Sequence, residues 1–190
     1  MQAMRCGKFI AGLTMMLAMS ACATLNESEC ETVNWGDLGR GDGAAGRSVS
    51  YVQRHREACM KYDLPVDENA WRSGWEAGIR RYCTAENGLS EGREGRGYAN
   101  SCPAEIAPAF ENAYRVGKRV HDAQSEYDRL KSELEQLYDD LEDAPKGDER
   151  RKVRNRITLR ESDLFLAEGR LRDAERLYDR YLYEEAAGRY

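Results

Sequence analysis

AFENAYRVGKRVHDAQSEYDRLKSELEQLYDDL, residues 109–141, decides the fold. Its apolar positions fall at Ala109, Ala113, Val116, Val120, Ala123, Tyr127, Leu130, Leu134, Leu137 and Leu141, in steps of four and three without a break. That is the seam of a helix packed along its length against another. Ala144-Pro145-Lys146-Gly147-Asp148 interrupts it with two helix breakers and a capping aspartate. A second seam follows at Val153, Ile157, Arg160, Leu164, Ala167, Leu171, Ala174, Tyr178 and Tyr181. Folding the arms back on each other sets Leu141 beside Val153, Leu137 beside Ile157, Leu130 beside Leu164, Tyr127 beside Ala167, Ala123 beside Leu171, Val116 beside Tyr178 and Ala113 beside Tyr181. Large side chains meet small ones in several layers, as an antiparallel coiled-coil hairpin over 105–190 requires. The layer of Leu134 and Arg160 is the exception, and Arg160 is expected to reach Glu133 or Glu135 or to specify register. At 1.5 Å per residue each arm is roughly 50 Å long.

At the other end, Met4 to Cys22 reads as a leader. Arg5 and Lys8 precede the uncharged run Phe9 to Met19, too short to span a bilayer, and Met19-Ser20-Ala21-Cys22 resembles a bacterial lipobox. The expected organisation is a signal peptide over 1–21, a lipidated tether over 22–29 with Cys22 carrying the lipid, a Cys- and Gly-rich helical domain over 30–104, and the hairpin. The fold class is all-α. Ala23 after Cys22 resembles the outer-membrane class of lipoproteins, so the expected location is the outer membrane, lipid-anchored and facing the periplasm.

The chain is 33% charged and 41% hydrophobic, with 29 basic and 34 acidic residues, and its mean hydropathy is −0.79. Without Arg5 and Lys8 the formal charge falls to −7. Nucleic acid is therefore not an expected partner, since phosphate binding needs a basic surface. Of six cysteines, Cys6 lies in the leader and Cys22 at the lipobox. Cys30, Cys59, Cys83 and Cys102 remain, an even number that in an exported chain reads as two disulfides. Three connectivities exist, and pairing Cys30 with Cys59 and Cys83 with Cys102 closes the shortest loops.

Within the cysteine domain, NWGDLGRGDGAAGR over 34–47 is dense in glycine. Gly39 and Gly43 share a helical face, as do Gly74 and Gly78, which indicates either a tightly crossed helix pair or an irregular glycine-rich loop. Gly41 to Gly46 satisfies G-x-G-x-x-G, but no hydrophobic strand precedes it, and the dinucleotide reading fails. Ser50 to Cys59 reads as a short helix with His55 and Cys59 four apart; a disulfide for Cys59 leaves no metal set. Asp67 caps a helix over 68–82 whose Trp71, Trp75, Ile79 and Tyr82 recur at helical spacing, as core or as the lining of a ligand groove. CTAENGLSEGREGRGYANSCP, 83–103, reads as turns and loop tied at both ends, and Arg93, Arg96 and Tyr98 on it are candidate contacts with a ligand or partner.

Asn34-Trp35, Asp37, Gly39, Asp42-Gly43, Gly46, Arg56-Glu57-Ala58-Cys59, Gly78, Tyr82-Cys83, Asn87-Gly88, Gly92, Tyr98, Cys102-Pro103, Phe110, Ala113-Tyr114 and Gly117 form a pattern. It resembles the bacterial lipoprotein family of domain of unknown function 2799, over roughly Cys30 to Lys118. The resemblance implies an envelope lipoprotein and supplies no catalytic residues.

No G-x-S-x-G, H-E-x-x-H or zinc-type cysteine pairing occurs, and there are two histidines. Catalytic residues, metal and cofactors are accordingly not expected. The leading expectation is a structural or protein-interaction role, with the hairpin contacting an envelope protein or a second copy of itself. The alternatives are a periplasmic module binding cell-wall fragments or small molecules through Trp71, Trp75 and Tyr98, and an envelope hydrolase using Asp37, Asp42 or Glu76 as acid or base.

Overall fold

The computed structural model describes residues 24–188; the expected leader and the expected lipidation site, Cys22, lie outside the described residues. Among those described the regular structure is helical: α1 (Glu27–Thr32), α2 (Trp35–Ala44), α3 (Val52–Cys59), α4 (Glu68–Tyr82), α5 (Ala85–Arg93), α6 (Ala107–Asp143) and α7 (Asp148–Ala186). Single 3-10 turns flank α3 at Val49–Tyr51 and Met60–Tyr62. Side chains of Asn26, Asn34, Asp67 and Thr84 cap α1, α2, α4 and α5, each accepting the third amide of its own first turn. Each cap satisfies a donor that would otherwise have no intrahelical partner.

α6 and α7 form the hairpin in the expected register. Every seam position of α7 is buried or half-buried, and so is every one of α6 except Ala109, whose place in the core is taken by Phe110. Ala113, Val116 and Tyr181 share one apolar cluster with Leu89, and Tyr178 packs against it. Arg160 meets its polar layer as anticipated, with Nε 3.1 Å from Glu133 and a second ion pair to Asp163. At the turn, Gly147 takes φ 108°, a left-handed value that a Cβ disfavours, and Arg150 donates to the carbonyls of Leu141 and Ala144. Those are two of the carbonyls the end of α6 leaves without partners.

The glycine-rich segment is a tightly crossed helix pair, α2 on α4. A Cβ added at Gly39 would lie 1.9 Å from the Trp71 carbonyl oxygen, and one at Gly43 would lie 2.3 Å from that of Trp75. The loop expected over 83–103 contains a helix. α5 crosses the start of α6 in the same manner, with Gly88 against the Phe110 carbonyl and Gly92 against that of Tyr114. Glycine at a helix crossing lets backbones touch, so residues that signal a loop in isolation here allow close packing.

The two crossed pairs are copies of one another. Gly39, Asp42, Gly43, Gly46 and Arg47 recur as Gly88, Glu91, Gly92, Gly95 and Arg96, at a constant separation of 49 residues; Trp71, Trp75, Gly78 and Tyr82 correspond to Phe110, Tyr114, Gly117 and His121, at 39. Equivalent hydrogen bonds lock both. Trp75 Nε1 donates to the Arg47 carbonyl at 2.8 Å, and the Tyr114 hydroxyl donates to the Arg96 carbonyl at 2.6 Å. Gly46 and Gly95 both take φ 71°, one under the Tyr82 ring and the other under the His121 ring. The shorter separation in the second arm reflects α3 and its flanking turns, which the first copy has and the second lacks.

Both disulfides have the shortest-loop connectivity, Cys30 to Cys59 and Cys83 to Cys102, each with Cα atoms 5.7 Å apart. The segment read as a tether is folded from Thr24 onward. Leu25 is buried with Cys30, Ala58 and Cys59, and α1 begins at Glu27. The boundary drawn at residue 104 marks the start of α6, but the first turns of that helix complete the second crossed pair. α6 thus belongs to both halves of the molecule.

Candidate functional site

Asp42 carries the most concentrated buried polar chemistry. It sits on α2 between two close-packing glycines, 7% exposed, and faces α3 and α4. Its Oδ2 accepts from Trp71 Nε1 at 2.9 Å and lies 2.8 Å from His55 Nε2, while Arg47 Nε is 3.3 Å from Oδ1. His55 is 2% exposed, and its Nδ1 lies 3.0 Å from the Thr24 hydroxyl, which is also 3.2 Å from the Arg54 carbonyl. The Tyr51 ring meets His55 edge-on at 5.2 Å and lies under the Arg47 guanidinium.

Hydroxyl, imidazole and carboxylate in series are the parts of an acyl-transfer relay. The surroundings give them a different use. Both oxygens of Asp42 are engaged by donors on three segments, and a buried carboxylate so held fastens those segments together. The second copy keeps the carboxylate and its arginine, with Phe110 standing where Trp71 does in the first, and its carboxylate takes a donor from α4 of the first copy. Glu91 takes the Tyr82 hydroxyl at 3.3 Å and pairs with Arg96, just as Asp42 pairs with Arg47. Burial first, and then the charge and hydrogen bond of Glu91, push the Tyr82 hydroxyl well above its usual range. Thr24 and His55 extend the first copy to the incoming chain and hold the first described residues against α3. Of the other carboxylates named for a hydrolase, Asp37 and Glu76 are exposed on α2 and α4.

The aromatic ligand groove is not formed. Trp71 is 0% and Trp75 7% exposed, stacked at 6.4 Å within the core, because helical spacing turns both rings toward α2. Tyr98 is half-buried against Phe110 and Tyr114 at 4.8 and 5.7 Å, and its hydroxyl accepts from the Cys102 amide. Burial raises its ionisation above the ordinary tyrosine range. Arg96 bonds to Glu91 and Glu94, locking the turn after α5, and Arg93 stacks over Tyr178, joining the second crossed pair to α7. All five candidate contact residues therefore have partners within the chain. Cys59 is in a disulfide, so His55 and Cys59 do not form a ligand pair.

The hairpin presents a different surface. On α7, Leu159, Phe165 and Leu166 are 68%, 68% and 58% exposed; Thr158 and Ser162 lie beside Phe165, and Leu166 also borders α6 near Glu126 and Leu130. An open depression of about 440 Å³ lies around Phe165 and Leu166. A second of about 440 Å³ follows the junction of the two helices, floored by Ala123, Ala174 and Leu177 and rimmed by Arg119, Glu126 and Asp173. The seam periodicity marks the buried face of α7 and carries no information on this outer group. Its signal was present in Leu159, Phe165 and Leu166, apolar residues in the most charged third of the chain.

Neither the curated proteins nor the solved structures contain a match to this chain. Residues 34–119 match the model of a family described as a protein of unknown function, DUF2799. The matched span takes in both crossed pairs and ends before the body of the hairpin. The duplicated glycine-rich segment, 34–119, is thus what this chain shares with the DUF2799 family.

Proposed function

We propose that the protein is a bacterial envelope lipoprotein, anchored at Cys22 in the outer membrane on its periplasmic side, whose hairpin docks a protein partner. The observation that carries the docking role is the exposed apolar group Leu159, Phe165 and Leu166 midway along α7, a helix that also exposes Leu182 and Tyr183 near its end. Surface leucines occur singly on any protein, but Phe165 and Leu166 side by side around an open depression, with Leu159 about two turns before Leu166 on a helix about 58 Å long, read as a contact surface. The lipobox-like Met19 to Cys22 supports the anchor, and two disulfides support an oxidising compartment. The partner is another envelope protein or a second copy of this chain.

A photo-crosslinking residue placed at Phe165 in cells tests the reading, with Asp139, exposed on α6, as the control. The reading expects a discrete adduct from Phe165 and none from Asp139, its mass telling self-contact from a second protein. Equal, unspecific labelling from both positions refutes it.

A further inference from the structure

We propose that the knuckle Met60-Lys61-Tyr62 rests in the headgroup layer of the membrane that holds Cys22, a placement that itself depends on the lipid anchor proposed above. Thr24 is bonded to His55 and the Arg54 carbonyl, and Leu25 is buried against Ala58 and Cys59. Cys22 lies two residues before this fixed point, so its Cα is at most about 7 Å from that of Thr24. A headgroup zone is roughly 5–8 Å deep on each side of the hydrocarbon core. A lipid on Cys22 therefore keeps the side of the domain that carries α3 close to the membrane surface.

What stands at that end fits an interface. Met60 follows directly on Cys59 and is 63% exposed, and Tyr62 is 38% exposed. Among the described residues they are the exposed large apolar side chains before the hairpin; the others begin at Tyr138. The turn that carries them is closed by a bond from the Leu64 amide to the Cys59 carbonyl, with Asp63 at φ 58°, and the Cys30 to Cys59 disulfide braces it from behind. Methionine supplies apolar surface, tyrosine favours the headgroup level, and Lys61 extends its stem along apolar surface while its ammonium stays in water. α1 alongside carries Glu27, Glu29 and Glu31, so attraction to acidic lipid does not explain the contact. The contact is apolar and shallow, and zwitterionic bilayers suffice for it.

Lys61 reports on this directly, and Lys146 at the hairpin turn is an internal control; both are exposed. The acylated full-length protein, extracted from membranes and reconstituted into phosphatidylcholine vesicles, is treated with a membrane-impermeant amine-acylating reagent. The mass of its N-terminal peptide is read in the same digest. The proposal expects Lys61 to react several-fold more slowly than Lys146 on vesicles and at a comparable rate after proteolytic release from them, with little change when phosphatidylglycerol is added. Met60→Glu with Tyr62→Glu, both at exposed positions, restores the rate at Lys61 while the acyl group remains. Equal rates at Lys61 and Lys146 with the lipid present overturn this placement alone. An N-terminal peptide without lipid overturns the placement together with the anchor.

Discussion

Gly41 and Gly43 lie on the same helix, two residues apart, and the structure assigns opposite signs to the same substitution at each. Gly41 has no neighbouring atom within 4 Å of the position a Cβ would take, so Gly41→Ala gains helix propensity and stabilises by about 0.5–1 kcal/mol. At Gly43 the new Cβ would lie 2.3 Å from the Trp75 carbonyl oxygen and 2.7 Å from the Ile79 amide nitrogen. Both are backbone atoms of α4, and neither can turn aside as a side chain would. The helices must part by roughly 1 Å, which costs about 2–4 kcal/mol in lost packing and strain, less about 1 kcal/mol regained as propensity. The same movement disturbs Trp75, whose ring is held by the Arg47 carbonyl. Urea unfolding with the disulfides intact, followed by tryptophan fluorescence, measures both variants. Gly92→Ala in the second crossed pair should match Gly43→Ala in sign and rough size. If Gly43→Ala proves as stable as Gly41→Ala, α2 and α4 do not touch through their backbones and the duplicated packing unit is wrong.

Asp42→Ala removes the acceptor for Trp71 and His55 and leaves buried donors unpaired, a loss of about 3 kcal/mol by the same unfolding assay together with a changed near-ultraviolet tryptophan signal. Replacing Cys30 and Cys59 together by serine costs about 3–4 kcal/mol for a crosslink spanning 29 residues, and faster amide exchange over residues 24–33 should accompany it. Tyr82 ionises above its unfolded value of about 10, so it contributes stability fully at lower pH and loses it as pH rises beyond that value. Thermal melts of the wild type should therefore fall from about pH 10 upward, and Tyr82→Phe should flatten that fall; an unchanged slope would show that the buried hydroxyl is not its source.

The hairpin was legible because its packing is one-dimensional. A seam of threes and fours fixes which face is buried, a single turn fixes the register, and even Arg160 found its partner Glu133. Ala109 was misplaced because the seam continued into a region where α5 rather than α7 is the neighbour, and there Phe110 faces the core. The disulfides followed from an even count and loop length. α5 was not legible in the same way, since Gly88, Gly92 and Gly95 carry the ordinary signature of turns; only their recurrence at the spacing of Gly39, Gly43 and Gly46 distinguishes a crossing from a loop. The candidate ligand rings failed for a related reason. Helical spacing shows that Trp71 and Trp75 share a face, but not that α2 already covers it. The contacts of Asp42 span α2, α3 and α4 across 29 residues of sequence, and local pattern carries no sign of them.

The proposed envelope role requires a lipid at Cys22, and metabolic labelling with radioactive palmitate, read beside membrane fractionation, tests that most directly. The wild-type protein should carry label and sediment with outer membranes, while Cys22→Ser should lose both. An unlabelled wild type, or a Cys22→Ser protein that fractionates as the wild type does, would contradict it.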